Sequence, residues 1–263
     1  MTITVEYGVV PPAAGWTRDW EQGTLVALAR DAGHHIPESR GVSSPPSVLA
    51  DAADYYEYYV GIAGLDHFIF QSCAHGLNLV DDPEFQVALT RQIGDDGAHA
   101  QRYREIIQKR TGHDPVKRIA QKAIEERELV GDITGGGLAG FLAFELSYEL
   151  YTAPEFMVIG RTSRVEDPDV ESIATERFGP DEFVHRRGIA NWWNRHSATL
   201  SQLELEDLEG ALLSADDALW WRRKESLAAR WKWAKEVEDA DYDIVAAIKD
   251  RWRTVVHQFL FES

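Results

Sequence analysis

Two short patterns in this chain each bring a carboxylate and an imidazole to one place. They are Asp96-Gly97-Ala98-His99 and Glu182-Phe183-Val184-His185. On a helix, residues i and i+3 stand one above the other, so each pattern aims both groups at the same spot. A further carboxylate lies upstream of each on an apolar, helix-like stretch. Asp66 precedes Asp96 by 30 residues, and Glu149 precedes Glu182 by 33. An unpaired carboxylate on such an apolar face is expensive to bury, and a bound cation removes that cost. Carboxylate oxygens and imidazoles together suit divalent metals with positions left open. Glu145 rivals Glu149, one turn earlier on the same face, but the near-equal spacings favour Glu149 and leave Glu145 to accept a hydrogen bond from a ligating histidine. Asp181 with His185 also fits a carboxylate-x-x-x-His pair. Alone, a carboxylate-x-x-His pattern is most often a solvated helix face, and Asp66 alone reads as readily as an acid hydrogen-bonded to a neighbouring helix. Jointly, four helices in order with matched spacings point to a metal.

Those side chains need long helices to hold them. From residue 47 onward a 3.6-residue hydrophobic period dominates. It predicts a first long helix over 47–79 and a second over 84–111, with Asp82 as N-cap and Pro83 in the first helical position. A short charged connector helix follows over 116–130, ended by Gly131. The third long helix spans about 136–160 and is interrupted at Pro154; the fourth spans 169–197 with a Gly179-Pro180 break inside it. Ahead of them, residues 1–46 form an N-terminal extension in which "VVPPAAGW" and "GVSSPPSV" read as turns around one short helix near Trp20–Ala29. Behind them, residues 199–263 read as helices rich in tryptophan (Trp220, Trp221, Trp231, Trp233 and Trp252) beside arginine and lysine, packed on the bundle of residues 47–198 or on a partner. The expected fold class is all-α.

Composition narrows the function classes. The chain has 263 residues, 44% hydrophobic and 27% charged, as a soluble globular protein does. A formal charge of −17 argues against nucleic acid or an anionic membrane as partner, and metal-ligating carboxylates would account for part of it. The single cysteine, Cys73, cannot form an intramolecular disulfide or hold an iron–sulfur cluster alone. No run reaches the ~18 apolar residues of a membrane helix, and no basic segment followed by an apolar one opens the chain. A cytoplasmic location is the expectation.

With its two carboxylate-x-x-His motifs and two upstream carboxylates, the chain resembles the ferritin-like di-iron oxygenases, and within them the catalytic-subunit family of phenylacetyl-CoA epoxidase. The resemblance rests on "DDGAH", "DEFVHRRG" and "VIGRTS" and covers about residues 55–195. It implies a four-helix bundle and two iron ions, with manganese or a mixed iron–manganese pair as variants. The implied ligands are Asp66, Asp96, His99, Glu149, Glu182 and His185. Asp96 and Glu182 would bridge the ions, Asp66 and Glu149 would hold one each, and the two histidines would cap them. Asp66 and Asp96 stand where the family usually has glutamates, and Gly179-Pro180 lies just ahead of Glu182.

The implied activity is monooxygenation: dioxygen is activated to hydroxylate or epoxidise a small organic or acyl-thioester substrate. Electrons would come from a separate reductase, and assembly would be into a homo- or hetero-oligomer. Tyr59, Phe70, Tyr103 and Phe178 lie within about two helical turns of ligands and are candidates to line a substrate pocket. The alternative is a metal-free ferritin-like scaffold subunit of an oxygenase complex, for which the aspartate replacements and the broken fourth helix would be the signature. Iron storage fits less well, since a storage cage is usually built from a shorter chain.

Overall fold

A computed structural model describes residues 15–39, 52–132, 134–163 and 167–261, and every regular element among them is helical. The Pro-rich turns expected at residues 9–14 and 41–48, and the start of the helix expected from 47, lie outside the described residues. Helix α1 (Arg18–Asp31) is capped by the Thr17 hydroxyl, which accepts from the Trp20 N–H. Helices α2 (Ala52–Gly76) and α3 (Pro83–Thr111) form an antiparallel pair, with the Tyr59 ring 5.0 Å from that of Tyr103. The Asp82 carboxylate accepts from the Phe85 N–H at 2.7 Å, Pro83 opens the helix, and Gly112 closes it at φ 75, a left-handed conformation that favours glycine. Helix α4 (Val116–Val130) packs along α2. Their crossing is close at Gly64, where a Cβ would come within 2.3 Å of the Lys122 Cβ.

The third and fourth long helices depart from the sequence expectation in instructive ways. The third stops as α5 (Gly137–Tyr148), passes through Glu149 and a 3₁₀ turn at Leu150–Thr152, and restarts as α6 (Ala153–Thr162). The interruption therefore falls a turn before Pro154, which sits in the first turn of the new helix where its missing N–H costs nothing. The fourth is not broken at Gly179-Pro180. It runs from α7 (Pro168–Ile173) through a π turn (Ala174–Phe178) into α8 (Gly179–Ser197). The Gly179 N–H reaches back five residues to the Ala174 carbonyl, and this wider turn takes up the proline without ending the helix. Helix α8 lies along α3, whereas α5 lies closest to α9 (Gln202–Glu238) rather than to α8. The third and fourth helices therefore do not form the second antiparallel pair that a bundle of two such pairs would have.

Helices α9 and α10 (Tyr242–Phe261) close the core. Trp252 is fully buried and its indole N–H donates to the Leu150 carbonyl at 2.7 Å. That carbonyl belongs to the 3₁₀ turn, so the tryptophan supports the chain where the helix is interrupted. The Trp193 indole likewise donates to Leu260 at 2.8 Å, and Arg223 donates to the carbonyl and hydroxyl of Ser147. Trp220 is buried, whereas Trp221 is 65% exposed. At the other end, α1 is tied to α8 by a buried ion pair in which Arg186 donates twice to Glu21, both at 2.9 Å. The Trp16 indole adds a third bond to that carboxylate at 2.8 Å.

Candidate metal centre

Four helical segments deliver acids and imidazoles to the middle of the molecule. Asp66 comes from α2, Asp96 and His99 from α3, Glu149 from the end of α5, and Glu182 and His185 from α8. All six are buried, Asp96 and Glu149 completely. His99 Nδ1 lies 3.8 Å from both an Asp96 oxygen and a Glu182 oxygen. His185 Nδ1 lies 3.5 Å from a Glu149 oxygen. Asp96, Glu182 and His185 each present an atom within 4.8 Å of the other two, and this group could hold a metal ion. Five of the six sequence candidates are thus joined by distance, and Asp66 stands in the electrostatic field of Glu149 and His185.

The hydrogen-bonding pattern is lopsided. The inward atoms make no hydrogen bond: Asp66 Oδ2, both Asp96 oxygens, Glu149 Oε2, and Nδ1 of His99 and of His185, the last facing Glu149 Oε2 only as an ion pair at 3.5 Å. The outward atoms are held. His99 Nε2 is 3.3 Å from Asp181, and His185 Nε2 is 3.2 Å from Asp95. Each acid stands one residue before a cluster carboxylate yet reaches across to the histidine of the other helix. The α3 and α8 motifs thus brace one another reciprocally. A carboxylate on Nε2 fixes each ring with Nδ1 facing the cluster, as metal-binding histidines are usually held; His99 is neutral there, whereas His185 holds a second proton that a metal would displace. Asp181 therefore does not form a carboxylate-x-x-x-His pair with His185.

Glu145 also differs from expectation. It accepts no bond from a histidine. Gln92 donates to Glu145 at 3.2 Å and to Glu149 at 2.9 Å, and the Cys73 thiol donates to Glu145 at 3.4 Å. Gln92 thereby fixes one Glu149 oxygen while the other faces inward. Sequence reasoning missed Asp95, Gln92 and Cys73 as neighbours of the centre. The signal for the braces was present in the acidic doublets Asp95-Asp96 and Asp181-Glu182, each three residues ahead of a histidine. Of the expected pocket residues, Phe178 packs edge-on against His99 at 3.8 Å and stacks on Tyr103, which meets Tyr59. Phe70 packs on His67 instead.

The electrostatics mark a centre that is short of positive charge. Burial first, and then mutual repulsion, drives the carboxyl groups of Asp66, Asp96 and Glu182 well above their ordinary range. Burial and the Glu149 charge push Glu145 up to about 8. Burial lowers His99 to about 4 in spite of Asp181. For His185, burial works in the same direction but is overridden by Asp95, Glu149 and Glu182, which hold the ring well above its usual value. Cations would relieve all of this. A bound cation would let these carboxylates ionise and would leave both rings free to act as neutral ligands.

No protein-family model, curated protein or solved structure matches this chain.

Proposed function

We propose that the chain is a ferritin-like di-iron oxygenase, its four ligand-bearing segments holding two irons between Asp66, Asp96, His99, Glu149, Glu182 and His185. One observation carries this reading: both imidazoles turn toward the cluster carboxylates an Nδ1 that makes no hydrogen bond, while their Nε2 atoms are braced from behind. A metal-free scaffold has no use for such a set, because leaving buried acceptors unpaired costs stability. Carboxylate and imidazole donors of this kind suit ferrous iron, with manganese a near alternative. When bound, a di-iron pair supplies the reducing electrons and the open positions that dioxygen activation needs.

The chain's own contribution is position and dryness. Asp96 and Glu182, from α3 and α8, would hold the ions together with His99 and His185. The rings of Phe178, Tyr103 and Tyr59 keep water from the His99 side. Asp95 and Asp181 fix the imidazole orientations that turn Nδ1 inward. The substrate is a small organic molecule or acyl thioester, and electrons arrive from a separate reductase. Single-turnover dioxygen uptake by ferrous-loaded protein tests the activity. Uptake that disappears in His99→Ala and His185→Ala is the expected result; retained iron with no uptake would move the assignment to a non-catalytic metal protein.

A further inference from the structure

Helices α9 and α10 enclose a cavity of about 460 Å³, a volume ordinary for small-molecule sites, and none of the six cluster residues lines it. Trp220, Leu227 and Trp231 wall it from α9, and Tyr242, Ala246 and Lys249 from α10. Of the lysines that line it, Lys224, Lys232 and Lys235 are exposed, whereas Lys249 is 3% exposed. The Lys249 Nζ lies 5.5 Å from the centre of the Trp231 ring, which places the amine against the aromatic wall. It donates to the Glu155 carboxylate, which reaches it from α6.

The charges around that amine do not balance if it is protonated. Arg223 and Arg230 stand close enough to repel it, and among the described residues the acids that face these three bases are Glu126 and Glu155. Arg230 donates to Glu126 at 3.2 Å, and the Arg223 Nε lies 3.8 Å from the same carboxylate. Tyr148 donates to Glu126 at 2.6 Å, and burial keeps its phenol neutral. At the rim, Lys235 is paired with Asp243 and Lys224 lies 4.0 Å from Asp250, so these pairs add no net charge. Two arginines, which do not deprotonate in proteins, already match two carboxylates. Lys249 is the base that can give up its proton, and a desolvated lysine does so readily. Burial lowers it below the ordinary lysine range against the pull of Glu155, and the two arginines add to the lowering. An unprotonated amine on an apolar wall is a nucleophile for carbonyl carbon.

We propose that Lys249 captures a small apolar aldehyde in this cavity as an imine, the body of the aldehyde lying among Trp220, Trp231 and Tyr242. The amine nitrogen bonds to the carbonyl carbon. Glu155 then carries two protons in turn from the nitrogen to the former carbonyl oxygen, which leaves as water. One amine and one aldehyde give one imine and one water, and no electrons change hands.

The test is trapping with benzaldehyde. Full-length protein at neutral pH is treated with benzaldehyde and cyanoborohydride, which reduces an imine to a stable benzylamine, and peptide mass mapping reads the rate at each lysine. Lys249 should be labelled at least about tenfold faster than the exposed Lys232, because each unit by which a pKa falls gives about tenfold more free amine. Its rate should also saturate with benzaldehyde, while that of Lys232 rises linearly. Ala246→Trp, at an exposed position one turn before Lys249, narrows the cavity without entering the core. It should slow labelling of Lys249 by about tenfold and leave Lys232 unchanged. No label on Lys249, a rate no faster than that of Lys232, a rate that does not saturate, or equal labelling in Ala246→Trp and wild type would overturn the inference. The reaction needs no metal, so its failure and the failure of the di-iron reading are distinguishable.

Discussion

At the scale of single residues, the centre depends on which atoms are left without hydrogen bonds. The crossed braces make a sharp prediction. Asp181→Asn and Asp95→Asn keep the shape but present an amide to the opposite helix's histidine, and each should lower metal affinity by about 10–100-fold in chelator competition. Equal affinity in both variants would show that the contacts across α3 and α8 are incidental. A second prediction separates the two glutamates of α5. Glu149→Ala removes an inward oxygen and should lose bound metal, whereas Glu145→Gln keeps the bond network around Gln92 and should retain it; elemental analysis of both variants decides. The six inward residues were legible because i, i+3 spacing and matched intervals survive in one dimension. The braces were less so. Asp95 and Asp181 act across two helices packed together, and their role appears only once α3 and α8 are set in register.

At the scale of elements, interruption matters as much as periodicity. A proline at 154 and a Gly-Pro pair at 179–180 both signal a break in sequence, yet neither helix breaks where the signal stands. The third helix yields earlier because Glu149 leaves helical geometry at φ −109, ψ −66, and Trp252 takes the carbonyl thus freed at Leu150. The fourth survives because a π turn absorbs the proline. Neither solution is written locally; each needs a partner from far along the chain or a change of hydrogen-bond register. Close packing of α4 on α2 supplies the test at this scale. Gly64→Ala drives a methyl into Lys122 and Ile119 two residues from Asp66, and should destabilise the protein by about 1–3 kcal/mol. Gly61→Ala, one turn earlier with open space around it, should be neutral or gain up to about 1 kcal/mol from helix propensity. Thermal melts in which the two variants behave alike would contradict this account of the α2–α4 contact.

At the scale of the whole molecule, the acidic composition was plain from the start, and so was the gathering of part of it at the centre. The all-helical class was legible from the 3.6-residue period. Burial of Trp220 and Trp252 beside an exposed Trp221 was not, because it depends on how α9 and α10 meet α5 and α6. Among the described residues no helix is long and apolar enough to cross a membrane. The buried acids tie stability to pH. Above 6.5 the His99 ring is neutral both folded and unfolded, whereas Glu145 titrates only at about 8, and Asp66, Asp96, Glu182 and His185 also hold protons more tightly when folded. The metal-free protein therefore binds more protons folded than unfolded, and its stability should fall as pH rises from 6.5 to 8. Metal-loaded protein should lose much less over that range, since the ions replace the protons; denaturant titrations at both ends compare the two. The most direct test of the central claim is metal stoichiometry. After anaerobic loading with ferrous iron and removal of excess, elemental analysis should find two irons per chain, falling when Asp96 and Glu182 are both changed to alanine. A chain that retains no iron, or only one, would contradict a dinuclear centre.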